Sequence, residues 1–107
     1  DMFLELRQYR TLPGLRNNWV KYMEEIIIPF QVSKGMVIVG SFVGEEELDL
    51  YVWIRRFESE SERERLYEAV YQSDEWVNNI SPKIPEMLDR DKIVVTRIEP
   101  TAASVIH

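Results

Sequence analysis

Two short segments carry the residues best suited to chemistry. In Glu5-Leu6-Arg7-Gln8-Tyr9 a carboxylate, a guanidinium and a phenol recur at every second position. In Tyr51-Val52-Trp53-Ile54-Arg55-Arg56-Phe57 aromatic rings and a guanidinium recur in the same way. Period two is the period of a strand, so Glu5, Arg7 and Tyr9 share one face, and Tyr51, Trp53, Arg55 and Phe57 share one face. Laid antiparallel, the two strands would form a polar floor for a planar or anionic small molecule. Arg7 or Arg55 would grip a carboxylate or enolate by a forked hydrogen bond. Glu5 or Tyr9 would move a proton if burial shifted its pKa. Glu5, Arg7, Tyr9 and Arg55 are therefore the candidate catalytic residues. The same residues also have a purely structural explanation, as cross-strand ion pairs packed among aromatic rings.

The rest of the chain supplies elements to position them. A strand over 2–10 ends at the turn signal Leu12-Pro13-Gly14. A helix is predicted over 15–33, because Leu15, Trp19, Tyr22, Met23, Ile26, Ile27 and Phe30 form one stripe at helical spacing. Gly35 suits the position just past its end, and Pro29 predicts a kink or an end to its regular part. Trp19, Tyr22, Phe30 and Gln31 would roof a pocket whose floor includes Tyr51 and Trp53. An aromatic stripe of this kind is also ordinary core. Strands follow over 36–43 and 50–57, joined by an acidic loop at 44–49. Ser59 and Ser61, each followed three residues on by Glu, open a second helix with Tyr67 on its apolar stripe. Ser73-Asp74-Glu75-Trp76 resembles another helix start, residues 85–88 a short helix, and 91–98 a last strand.

The order strand, helix, strand, strand, helix, strand gives an α+β chain. Its expected form is a ferredoxin-like βαββαβ domain, with a four-stranded antiparallel sheet and helices on one face. A sheet with one wet face should alternate apolar and polar residues. Met36 to Val39, Leu50 to Ile54 and Ile93 to Val95 do not. Two helices cannot cover both faces, so a second copy of the chain is the expected shield, and the expected assembly is a homodimer. The 107 residues form a single domain, 1–107, without repeats or linkers.

Composition narrows the function. A net charge of −6 repels phosphate backbones and anionic bilayers, so neither nucleic acid nor a membrane is an expected partner. No apolar run approaches the ~18–20 residues that span a bilayer. There is no cysteine, and the one histidine is His107. This argues against a thiolate nucleophile, an interior imidazole relay and the common metal or haem ligand sets, so no metal and no cofactor is expected. Glu45-Glu46-Glu47 is read as a solvated hairpin tip. The expected compartment is the cytoplasm.

Glu5-Leu6-Arg7-Gln8-Tyr9-Arg10, then Pro13-Gly14, then Trp19, resembles the opening of NIPSNAP-domain proteins. Ile28-Pro29-Phe30-Gln31, Val39-Gly40-Ser41-Phe42, Tyr51 to Phe57, Glu62 to Arg65 and Ile93 to Arg97 extend the likeness along the chain. The resemblance implies the dimeric α/β-barrel superfamily, which includes cofactor-independent monooxygenases, cyclases and mutarotases, with ligands in a cleft between sheet and helices. The NIPSNAP branch itself has no settled general chemistry. Many catalytic relatives place histidine in that cleft, and this chain has none to place. Two functions follow: a small-molecule cleft, with or without cofactor-free isomerase, cyclase or monooxygenase chemistry, or a non-catalytic interaction module using Trp76 or the 99–107 tail. The Glu5/Arg7/Trp53/Arg55 face is expected to line the cleft, and the Leu4/Leu6/Val52/Ile54 face to meet the partner.

Overall fold

The computed structural model describes all residues from Asp1 to His107. Four strands, β1 (Phe3–Arg10), β2 (Val37–Val43), β3 (Leu50–Phe57) and β4 (Val94–Ile98), form one antiparallel sheet in the order β2-β3-β1-β4. The predicted element order and sheet are observed, and the sheet is open. Between β1 and β2 run α1 (Arg16–Tyr22), a π-helical turn (Met23–Ile27) and α2 (Ile28–Ser33) without a break. Between β3 and β4 run α3 (Glu60–Tyr71), a second π turn (Trp76–Ile80) and two 3₁₀ segments (Ser81–Glu86 and Arg90–Lys92).

Pro29 does not end the first helix. It occupies the first turn of α2, directly after the π turn. A proline lacks the N–H of its own position and crowds the carbonyl four residues back. The wider π turn absorbs both effects. Gly35 does close the helix, with φ +108°, a backbone conformation that favours glycine. Of the two predicted caps on α3, Ser59 is the one used: its Oγ accepts from the Glu62 N–H at 3.1 Å. Ser73 caps the next turn, accepting from the Trp76 N–H. Two boundaries need correction. The last strand starts at Val94 because the Asp89 carboxylate caps a 3₁₀ turn over Arg90–Lys92. The short helix expected at 85–88 is a 3₁₀ segment over Ser81–Glu86, a form in which its two prolines fit.

Register fixes what each sheet face carries. Glu5 lies opposite Arg55, Arg7 opposite Trp53 and Tyr9 opposite Tyr51. On β3 the buried residues alternate, with Tyr51, Trp53, Arg55 and Phe57 all under the helices. The opposite face carries Leu4, Leu6, Val52 and Ile54, flanked by Val37, Phe42, Val94 and Ile98 on the outer strands. Those four flanking residues are exposed. The helix-covered face holds two apolar clusters, one around Tyr9, Trp19, Trp53 and Ile84, the other around Phe3, Phe57, Leu66 and Val70.

Candidate functional site

Between those two clusters lies a buried polar layer, built by the alternation of β1 and β3. Arg55 is fully buried. Its Nε and Nη2 donate to Glu5 Oε1 at 3.1 and 2.6 Å. Its Nη1 donates to Gln31 Oε1 at 2.7 Å and to the Tyr71 hydroxyl at 2.8 Å. Nη2 also reaches the Tyr67 hydroxyl at 2.8 Å. Tyr67 in turn donates to the second Glu5 oxygen. Every polar group of Arg55 and Glu5 thus has a partner, as burial of a charge demands.

The electrostatics follow from this enclosure. Burial works against the Glu5 carboxylate, but Arg55, Tyr67 and Arg7 outweigh it and hold its pKa below the ordinary carboxylate range. Glu5 is a firm anion, so burial does not make it a neutral-pH proton carrier. Burial also works against charged Arg55, and Tyr71, Glu5 and Tyr67 outweigh it. Burial pushes the Tyr67 phenol up to about 12, with Arg55 opposing the shift. Tyr9 is raised by burial too, although the Arg7 guanidinium pulls the other way. Both phenols therefore keep their protons at neutral pH.

Beside this layer, under the first helix, is a cavity of about 230 Å³. Of the residues read as candidates in the sequence, Arg7, Tyr9, Trp19, Gln31, Trp53 and Tyr67 line it. The helix contributes Trp19, Met23, Ile27 and Gln31, one residue in every four. Glu5 and Arg55 stand outside the lining and brace Tyr67, Tyr71 and Gln31 from behind. Three other candidates are not on the wall. Tyr51 shares a 2.6 Å hydrogen bond with Ser41, and burial pushes its pKa up to about 12. Tyr22 donates to the Ile80 carbonyl at 2.8 Å. Phe30 packs against both apolar clusters.

The sequence reading missed the far rim. Ser81, Ile84, Leu88, Arg90 and Ile93 line the cavity, and Arg90 Nη2 donates to both Oγ and the carbonyl of Ser81 at 2.9 Å. Ser81, Ile84 and Arg90 sit in 3₁₀ turns and Leu88 and Ile93 in the links beside them, without a periodic pattern, so the sequence offers no signal for them. Tyr71 and Trp76 complete the wall, with ring centroids 4.8 Å apart and planes at 85°.

Several polar groups on the wall remain unengaged. The indole N–H groups of Trp19 and Trp53 are buried and have no hydrogen-bond acceptor. Arg7 donates from Nε to the Tyr9 oxygen at 2.7 Å. Its Nη1 has only long contacts, 3.3 Å to Glu5 and 3.5 Å to Tyr67. No group of three acidic, histidine or cysteine side chains converges anywhere in the chain. Nor is any helix long and apolar enough to cross a membrane.

The architecture is an open four-stranded α+β sheet with a hollow beneath its helices. The NIPSNAP family model matches residues 4–101, so the chain belongs to the NIPSNAP family. Its structure is similar to a NIPSNAP family protein of unknown function from Agrobacterium tumefaciens, with TM-score 0.89 and 25% identity, covering 99% of this chain and 94% of that one. A second NIPSNAP family protein from the same organism matches over the full length of both chains, at TM-score 0.88 and 20% identity. An uncharacterized NIPSNAP-like domain protein from Burkholderia xenovorans matches at TM-score 0.85 and 21% identity, over 96% of this chain and 88% of that one. No functionally curated protein matches the chain.

Proposed function

We propose that this NIPSNAP domain is one half of a homodimer, and that the hollow under its helices binds a small aromatic or anionic molecule. The observation that carries the reading is the unfilled space of about 230 Å³ with the Arg7 guanidinium on its wall, one edge of it without a partner. A core that serves only stability closes such space, and buried donors in it find acceptors. Tyr9 is the wall group suited to donate a hydrogen bond to a bound ligand: its raised pKa keeps the phenol protonated and makes it a weak acid, so it would polarise the ligand and keep its own proton. That would be cofactor-free electrostatic catalysis of the isomerase or cyclase kind. Glu5 and Arg55 are read as positioning residues. Their saturated hydrogen bonds also suit a second reading, an interaction module in which the polar layer only shapes the core.

The dimer rests on the uncovered sheet face. Val37, Phe42, Val94 and Ile98 are 37–52% exposed there and adjoin Leu6, Val52 and Ile54. Isolated monomers rarely leave such a continuous apolar face wet. Sedimentation at micromolar concentration should give twice the chain mass, and Phe42→Arg should give a single-chain mass. A monodisperse, stable single chain in the unaltered protein would refute the dimer. Tryptophan fluorescence, titrated with benzyl alcohol and benzoate, tests the cavity. At least one should quench Trp19 and Trp53 saturably, and Ile84→Phe should fill the space and abolish the response. No response to either compound would refute the binding reading.

A further inference from the structure

This inference rests on the small-molecule reading and names the ligand class. We infer that the cavity takes a singly charged aromatic or unsaturated carboxylate, seated on the free edge of Arg7 with its flat body against Trp19, Trp53 and Trp76.

Three observations converge. The first is an inventory of hydrogen-bonding capacity. Gln31 Oε1 and the hydroxyl oxygens of Tyr67 and Tyr71 already accept from Arg55. The Tyr9 oxygen accepts from Arg7 Nε, which leaves the Tyr9 proton without an acceptor in the protein. The unengaged groups on the wall are then all donors: Arg7 Nη2 and the hydroxyl protons of Tyr9 and Tyr71. A ligand that satisfies them must accept hydrogen bonds and has no need to donate any. A carboxylate does this and matches the guanidinium fork.

The second observation is charge. The buried layer holds two guanidinium groups, Arg7 and Arg55, against one carboxylate, Glu5. Two positive charges less one negative leave a surplus of one positive charge. Glu5 is the acid that pairs with both guanidinium groups, and Glu60, on α3, is engaged by Arg63 and Arg97. A largely buried surplus cation is costly unless paired, and Arg7, with 16% of its side chain exposed, is the one of the two guanidinium groups that a ligand can reach. A monoanion cancels it. A dianion such as a phosphate monoester would leave one negative charge buried, so the surplus favours carboxylate.

The third observation is size and shape. A dry cavity of ~150 Å³ holds a benzene ring. About 230 Å³ therefore admits one ring with a short acidic substituent. Tyr71 and Trp76, edge to face at 4.8 Å, and the indoles of Trp19 and Trp53 offer flat apolar surfaces for that ring. Arg90 at the rim, half spent on Ser81 and exposed, puts a second positive charge at the entrance, where it would draw anions in.

Calorimetric titration of the whole protein at pH 7 tests the inference with matched pairs: benzoate against benzamide, and cinnamate against cinnamamide. Each acid should bind at least about tenfold more tightly than its amide, the ratio expected for a charge-assisted fork. Arg7→Met should erase that preference while amide binding persists. Arg7→Lys should restore part of it, because a point charge replaces a fork. Should Arg7→Met fail to fold, Tyr9→Phe carries the test, weakening acid binding several-fold more than amide binding. Amides binding as well as acids, or acid preference surviving these substitutions, would overturn the carboxylate assignment while leaving the pocket intact. Absence of binding by acids, amides and benzyl alcohol alike would overturn both readings together.

Discussion

Arg55→Met is the most incisive perturbation of the buried layer. Methionine roughly keeps the length of the side chain and removes six donor contacts, two to Glu5 and one each to Gln31, Tyr67, Tyr71 and the Met36 sulfur. Glu5 is then a buried carboxylate with a 3.3 Å contact to Arg7 and the Tyr67 hydroxyl as its remaining help. Breaking a buried ion pair from one side costs ~3–5 kcal/mol. For a domain of this size that is a fall of about 15–30 °C in Tm. Urea unfolding at a series of pH values is the assay, because the mechanism has a pH signature. In the unaltered protein the Glu5 pKa lies below its ordinary 4.5. Its stabilisation is present above that value and is lost as pH falls through the folded pKa. Without Arg55, burial dominates and the folded pKa of Glu5 rises above 4.5. The variant therefore loses stability as pH rises through that raised value. The deficit should be full at pH 7 and shrink as pH falls toward 4. A loss under ~1 kcal/mol at pH 7, or one that is flat with pH, would refute the claim that Arg55 holds Glu5 as an anion.

Other substitutions probe neighbouring parts of the argument. Gly35→Ala forces a side chain into φ +108° and sets its Cβ 3.1 Å from Leu66; a loss of ~1–3 kcal/mol by thermal denaturation is expected. Ser59→Ala removes the α3 cap and should cost ~1 kcal/mol, with Ser59→Asp restoring it. Tyr67→Phe leaves one Glu5 oxygen without its donor and should cost ~1–3 kcal/mol. Its loss, like that of Arg55→Met, should diminish in acid.

The sheet was legible because its signal is local. The span of β3, 50–57, follows from a run of aromatic and β-branched residues bounded by Asp49 and Glu58. Which residues share a face was readable as well, since Glu5, Arg7 and Tyr9 alternate as Tyr51, Trp53 and Arg55 do; which of the two faces lies under the helices was not, because the period is the same from either side. What could not be read was the division of labour among these residues. Glu5, Arg7 and Arg55 look equivalent in a sequence, and only the register and the helix positions leave Arg7 on the cavity wall with Arg55 sealed behind it. The rim at Ser81 and Arg90 was illegible for another reason. Its 3₁₀ turns are held by backbone and capping bonds, such as Asp89 to the Asp91 N–H, and these impose no hydrophobic period. Pro29 pointed to a departure from regular helix, and that departure is the π turn over Met23–Ile27, a form that no residue type announces.

That π turn has a geometric consequence for the hollow beneath it. In an ideal α-helix, residues four apart are offset by about 40° about the axis, so three such steps would swing Gln31 about 120° away from Trp19. The π turn has more residues per revolution and rotates the chain back, and Trp19, Met23, Ile27 and Gln31 all meet the same void. Removing one residue between Met23 and Ile27 would let the segment wind as a plain α-helix, and with one step fewer between Trp19 and Gln31 their offset about the axis falls to about 20°. Gln31 would therefore stay over Arg55, and only the stretch between the two ends of the ceiling would lose a side chain. The same deletion outside the π turn would instead swing Gln31 away by roughly 100°, so the bulge marks the one place where this roof can be shortened without turning its far end.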